Sequence, residues 1–434
     1  MKRRSFLAAT GAALLAPRVS FASSTVLSAG PVVAQILPEG DGTTATWGLN
    51  GSTPGPALRL AQGERAEITF ENGLMQPSAL HWHGIRLENA MDGVPGLTQD
   101  AVPPGGRFDY SFVPPDAGTY WYHSHNRSWE QVARGIYGPL IVEETTPPDV
   151  DHDVIVMVDD WRLSETGEQL GGYDDLHDRA HAGRMGNYAR ALVDPAVQLR
   201  QGERVRLRLI NVATDRVFPV QIDGIKGRIV ALDGMPLPAP APIGDILLAP
   251  AQRIDIIADV TGAEQLGFVF PTRDGPYDLG AIPVSGVRSG PARGDIAALP
   301  GNPGHSLDLE AASEVPLRME GGAMGGRHSG SDVWAFNGVS DLLEAPLRRF
   351  ERGETARFRL VNDTRWAHGI HLHGHHFHEL GPDGAPGALR DTTLVEPGAS
   401  IEIAAVMDNP GKWLLHCHML GHQAAGMRTW VEVA

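Results

Sequence analysis

LRLAQGERAEITFEN at residues 58–72, LRQGERVRLRLIN at 199–211 and FERGETARFRLVN at 350–362 are three versions of one segment. Each is a Gly-Glu turn feeding a strand whose apolar side chains alternate, so that one face is buried and the other is wet. A second shared feature follows each turn: His81-Trp82-His83-Gly84, Gln221-Ile222-Asp223-Gly224 and His371-Leu372-His373-Gly374, whose final glycines lie 21, 22 and 21 residues after the turn glycines. The spacing between copies is domain-sized. Copies one and three also share an ending. Pro104 and Pro397 each start a strand, Gly118 and Gly411 follow 14 residues later, and a His-x-His comes five residues after each glycine.

The rest of the composition agrees with an all-β chain. The 434 residues include 52 glycines and 33 prolines, and short alternating runs outnumber long amphipathic helix patterns. Three tandem Greek-key β-sandwich domains are the economical reading, spanning residues 23–147, 148–295 and 296–434. The boundaries fall at the Thr145-Thr146-Pro147-Pro148 run and in the Gly/Pro-rich stretch from Gly286 to Gly304. Residues 1–22 read as an export signal: Lys2-Arg3-Arg4, a short apolar run and a small-residue site ending at Ala22. The paired arginines resemble a twin-arginine signal and point to the periplasm. The apolar run is too short for a stable membrane anchor. Losing the four basic residues Lys2, Arg3, Arg4 and Arg18 takes the net charge from −16 to −20, which argues against a nucleic-acid partner.

Ten of the 18 histidines fall in four short segments: His81 and His83; His123 and His125; His368, His371 and His373; His416, His418 and His422. A His-x-His on a strand projects both imidazoles from one face, and eight imidazoles in such pairs exceed what a single metal ion uses. In His416-Cys417-His418 the same alternation sends the two rings one way and the thiolate the other, so two metal centres flank this strand. Cys417 is the only cysteine and cannot form an intrachain disulfide. With His368 and His422 as imidazoles and Met427 as an axial thioether, it completes a Cys/His/His blue copper set.

HWHG, HSH, HGIHLHGHHF and HCHMLGHQAAGM resemble, in order, the four copper-binding signatures of the multicopper oxidases, three-domain proteins of cupredoxin-like sandwiches. The likeness to laccase-like and copper-efflux-oxidase-like members covers essentially the whole mature chain. It implies four copper ions: type 1 on His368, Cys417, His422 and Met427; type 2 on His81 and His371; a type 3 pair on His83, His123 and His418 and on His125, His373 and His416. It implies one-electron oxidation of a small donor (a phenol, an aromatic amine or Cu(I)) at type 1 copper, coupled through Cys417 to four-electron reduction of O2 to water.

Asp92, in Met91-Asp92-Gly93, reads either as a turn aspartate or, by the same resemblance, as a proton donor. Gln423 stands where several bacterial relatives carry an acid after the type 1 histidine. His375, His376 and His378 read as packing or hydrogen-bonding residues, with His375 on the face of His371 and His373. The stretch from Tyr173 to Tyr188, with His177 and His181 one helical turn apart, reads as a solvated turn or short helix, with the border of a substrate or copper entry site as the alternative. The 11 methionines are scattered, with only Met319 and Met324 close together ahead of the third copy, which argues against a dedicated cuprous oxidase. The competing readings are a copper nitrite reductase, which needs no third His-x-His set, and a non-catalytic copper-binding or cell-division scaffold, which would have lost ligands.

Overall fold

In the computed structural model, which describes residues 25–291, 293–304, 306–324 and 333–434, the three sequence copies become three β-sandwiches. The proposed export signal lies outside the described residues. Each sandwich pairs two sheets, of four and four, six and five, and six and five strands in chain order. The three repeated segments occupy equivalent places, as the strands Ala66–Asn72, Arg204–Asn211 and Glu354–Asn362 inside one sheet of each pair.

Two features of the repeat have a clear physical cause. The turn glycines Gly63, Gly202 and Gly353 have φ of +76°, +86° and +88°, a region that a side chain disfavours. The closing asparagine acts as a tie. In each copy its Nδ2 donates to two carbonyls and its Oδ1 accepts a backbone N–H two residues on. Asn72 reaches Gln76 O and Val102 O, Asn211 reaches Arg216 O and Leu248 O, and Asn362 reaches Trp366 O and Val395 O, all at 2.7–2.9 Å. The buried amide thus satisfies backbone groups where the chain leaves one sheet for the other. In the third sandwich this fixes Trp366, two residues before His368.

The sandwiches are not beads on a string. One continuous apolar cluster runs through the first and third, from Leu27, Phe70 and Trp82 to Phe358, Trp413 and Met427, whereas the second keeps a core of its own. Gln221 and Asp223, at the positions of the histidine pairs, are exposed on the second sandwich.

The second sandwich is joined to the first by buried charge. Arg206 donates to Asp255 Oδ2 at 2.6 Å and to Glu144 Oε1 at 2.7 Å. Arg208 donates to Asp153 and to Thr119 Oγ1, which in turn donates to Asp255. Such a network tolerates loss of a member badly, because a charge is left buried without its partner. Asp255→Ala is expected to destabilise the protein by about 3 kcal/mol in denaturant unfolding, and Asp255→Asn by less.

Candidate metal centre

Two strand pairs set the site. Leu80–His83 runs antiparallel to Gly118–Ser124 with His81 opposite His123, and His368–Leu372 runs antiparallel to Gly411–Cys417 with His371 opposite His416 and Ile370 opposite Cys417. Pleating therefore puts His371, His416 and His418 on one side of the second pair. It puts His368 and Cys417 on the other. The helix Leu420–Ala424 then brings His422 back to the Cys417 side.

Among the described residues four buried groups of three imidazole or thiol donors result, each with its donor atoms within 4.8 Å of one another: His81, His83 and His371; His83, His123 and His418; His125, His373 and His416; and His368, Cys417 and His422; a fifth joins the Asp92 carboxylate to His81 and His373. All ten clustered histidines and Cys417 are thus brought together. In the last group Cys417 Sγ lies 3.6 Å from His368 Nδ1 and 3.7 Å from His422 Nδ1. Met427 is fully buried beside it, its backbone bonded to Cys417 and His422.

Hydrogen bonds on the outer nitrogens orient these rings. His81 Nδ1 donates to Asp92 O, His371 Nδ1 to Asp391 O, His123 Nδ1 to Ser124 O and His416 Nδ1 to Cys417 O, at 2.8–3.0 Å. His373 Nδ1 donates to Asp92 Oδ2 at 2.9 Å, and His83 Nε2 to Asp391 Oδ1 at 3.1 Å. A proton fixed outside leaves a lone pair inside. The inward nitrogens His81 Nε2, His83 Nδ1, His123 Nε2, His125 Nε2 and His371 Nε2, and both nitrogens of His418, have no protein partner. His373 Nε2 and His416 Nε2 face each other at 3.1 Å, as do His368 Nδ1 and His422 Nδ1. Lone pairs converging without a proton between them are what bound cations would relieve. Imidazoles with one thiolate are a donor set suited to copper.

Burial drives the protonation chemistry the same way. It holds the pKa values of His83, His123, His125, His368, His373, His416 and His418 well below the ordinary 6.5, with neighbouring imidazoles adding to the effect. His422 is lowered to about 4 by burial. Burial also pushes the Cys417 thiol up, so its thiolate requires a cation beside it.

Asp92, which the sequence left between two roles, is buried and bridges domains: it comes from the first sandwich and accepts from His373 of the third. Its oxygens sit on the protonated side of the His81 and His373 rings, so it accepts hydrogen bonds and is no further ligand. Gln423 is buried and accepts from Ser128 Oγ at 3.1 Å, in a cleft that also reaches His125, the most exposed of the cluster histidines at 8%.

Two expectations need correction. His375 does not share the face of His371 and His373, because the strand ends at Leu372 and Gly374, at φ +67°, turns the chain away. His375 instead packs edge-on against Trp413 and accepts from Asn409 N; its pKa is lowered to about 4 by burial. The sequence, with Gln221 and Asp223 where the other copies have histidines, makes the second sandwich a spacer, but the structure gives it a part in the site. Its Arg253 forms a double hydrogen bond to Asp391 of the third, at 2.9 and 2.5 Å, and Asp391 holds His83 of the first. The arginine and neighbouring imidazoles hold the Asp391 carboxyl well below its usual range against the opposing effect of burial. Gly84 makes room for this contact, since a Cβ there would lie 2.4 Å from the Arg253 guanidinium. Sequence reading missed both residues.

With this geometry in view, the comparisons agree. Family profiles described as Multicopper oxidase match residues 33–147, 164–266 and 311–434. The chain is 30% identical to Multicopper oxidase MmcO of Mycobacterium tuberculosis, over 90% of this chain and 83% of that protein. It is 28% identical to Laccase-1 of Botryotinia fuckeliana, over 88% of this chain and 77% of that one. Among solved structures, Lac15 from a marine microbial metagenome is 58% identical with a TM-score of 0.84, covering 95% of this chain and all of that one. The chain belongs to the multicopper oxidase family. It is a copper-dependent oxidoreductase that couples laccase-like oxidation of a donor to the reduction of O2.

The lowered histidine values make a prediction for the copper-free protein. The unfolded chain takes up protons below pH 6.5 that the folded chain refuses, so stability is lost as the pH falls from about 6.5 towards 4. Thermal melts of copper-free protein across that window are expected to show a steep decline. Copper loading, which would occupy the same lone pairs, is expected to shift the decline to lower pH.

Proposed function

We propose that His368, Cys417, His422 and Met427 hold type 1 copper, that His81 and His371 hold type 2 copper, and that His83, His123 and His418, with His125, His373 and His416, hold a type 3 pair. The observation that carries this reading is the placement of Cys417 between His416 and His418, with one buried donor triad on its face and three on theirs. Copper supplies one-electron redox chemistry on the thiolate side and a multi-ion seat for oxygen reduction on the imidazole side.

The residues supply the rest. Cys417 receives the electron side of the reaction, and its backbone leads directly to His416 and His418. A shortcut exists as well, since His416 Nδ1 donates to Cys417 O at 2.9 Å. Asp92 orients His81 and His373 together, and its carboxyl lies against the imidazole cluster. Gln423 cannot ionise, so proton delivery relies more on Asp92 and water. Four one-electron donations match the four-electron reduction of one O2 to two waters.

The donors are small phenols or aromatic amines, with Cu(I) as a second class, since relatives named laccase and copper resistance protein A both align along most of the chain. Domain limits at 147/148 and 295/296 fit the sheet pairs, and the Lys2-Arg3-Arg4 start supports export by the twin-arginine route to the periplasm. Among the described residues no helix is long and apolar enough to cross a membrane. A copper-binding scaffold without turnover is disfavoured, because all twelve candidate ligands are present and buried.

Cys417→Ser is expected to abolish the intense blue absorption and the turnover of organic donors while leaving the circular dichroism spectrum intact; a blue variant would refute the type 1 assignment. Asp92→Asn is expected to slow reoxidation by O2 roughly 100-fold in stopped flow, with reduction of the blue band by a phenol changed far less. Equal effects on both half-reactions would remove Asp92 from proton delivery.

A further inference from the structure

His422 has no exposed surface, so no donor touches it directly. What covers it is the stretch between Tyr173 and Tyr188, which carries the short helix Leu176–Ala180. The end of a helix leaves carbonyls without partners inside the helix. Here three consecutive ones are filled from the third sandwich. Arg179 O accepts from Trp334 Nε1 at 2.6 Å, Ala180 O from Ala323 N at 2.7 Å, and His181 O from His422 Nε2 at 2.7 Å. The buried Asp215 carboxylate adds a clamp, accepting from Arg184 N of the cover and from Gly421 N beside His422. Trp334 itself packs on both His422 and His368, with ring centroids 4.4 and 5.0 Å away.

The outer side of this cover is aromatic. The His177 and His181 rings stack at 4.0 Å and 19°, and Trp366 meets His181 edge-on at 5.3 Å. His177 is exposed, and His181 and Trp366 are partly so. The acids around them are engaged: Asp174 by Arg127 and Arg179, Asp178 by Arg162, and Asp175 by the backbone N–H groups of His177 and Asp178. An aromatic surface whose neighbouring carboxylates are already engaged favours a neutral aromatic ring over a cation.

We infer that phenolic donors dock on this shelf, against His177, His181 and Trp366, and that their electrons reach His422 through the His181 backbone and its hydrogen bond. This rests on the reading of His368, Cys417 and His422 as the type 1 copper site. Each phenol loses one electron inward and its hydroxyl proton to solvent, leaving a phenoxyl radical. Four such losses supply the four electrons that, with four protons, turn one O2 into two waters. His177 and Trp366 bind the donor, and His181 both binds it and carries the electron.

The test uses the full-length, copper-loaded protein. In its fully reduced, oxygen-free form, which is diamagnetic, 1,2-dimethoxybenzene serves as a redox-inert stand-in for a phenol. It is expected to shift the imidazole resonances of His177 and His181, and Trp366→Leu is expected to weaken that binding. In turnover, His177→Ala and Trp366→Leu are each expected to raise KM for a dimethoxyphenol roughly three- to ten-fold, with kcat moving far less and the blue absorption retained. Absence of the resonance shifts, phenol KM values within two-fold of the native protein, or a KM change confined to Cu(I) as donor would each overturn the inference. Failure of the type 1 reading would show separately, as a native copper-loaded protein without blue absorption.

Discussion

The register between the strands His368–Leu372 and Gly411–Cys417 is the constraint on which the rest depends. Side chains alternate along both strands, so one residue of slip would exchange the faces of His416, Cys417 and His418. The thiolate would then point at the imidazole cluster, and the paired rings at the position of His368. The third sandwich guards against this with the Asn362 tie just ahead of His368 and with apolar packing on both sides of the pair. Copper chemistry of the family's kind requires two unlike sites within a few bonds of each other, and one strand provides both.

A second requirement is that rings from different sandwiches converge with their lone pairs inward. Backbone carbonyls do most of this, holding the outer nitrogens of His81, His371, His123 and His416. Two carboxylates act across domain boundaries. Asp92 of the first sandwich holds His373 of the third, and Asp391 of the third holds His83 of the first. The second of these carboxylates is buried beside neutral rings and is kept ionised by Arg253, the contribution of the ligand-free middle sandwich.

Much of this was legible in the sequence because it is periodic or local. Three copies of a Gly-Glu turn with its strand reveal the sandwiches, and spacing by two around Cys417 reveals two centres on opposite faces. What escaped is long-range. Arg253 and Asp391 lie 138 residues apart, and nothing at either position marks a partner. The closing asparagine of each repeat was visible as a recurring letter, but its role as a tie depends on carbonyls that only the fold brings near. His375 was misplaced because strand alternation was extended past Gly374, where the backbone turns. The cover over His422 was legible only as a short helical pattern, since a carbonyl accepting from a distant ring leaves no trace in side-chain spacing.

The shared core of the first and third sandwiches also has a meaning in time. Residues as early as His81 and as late as His418 belong to one cluster, and the thiolate group is complete only with His422. A chain growing from its N-terminus therefore carries no complete redox centre until almost its last strand has been made. Partly synthesised or truncated forms hold scattered imidazoles without the thiolate group that faces the other way on the same strand.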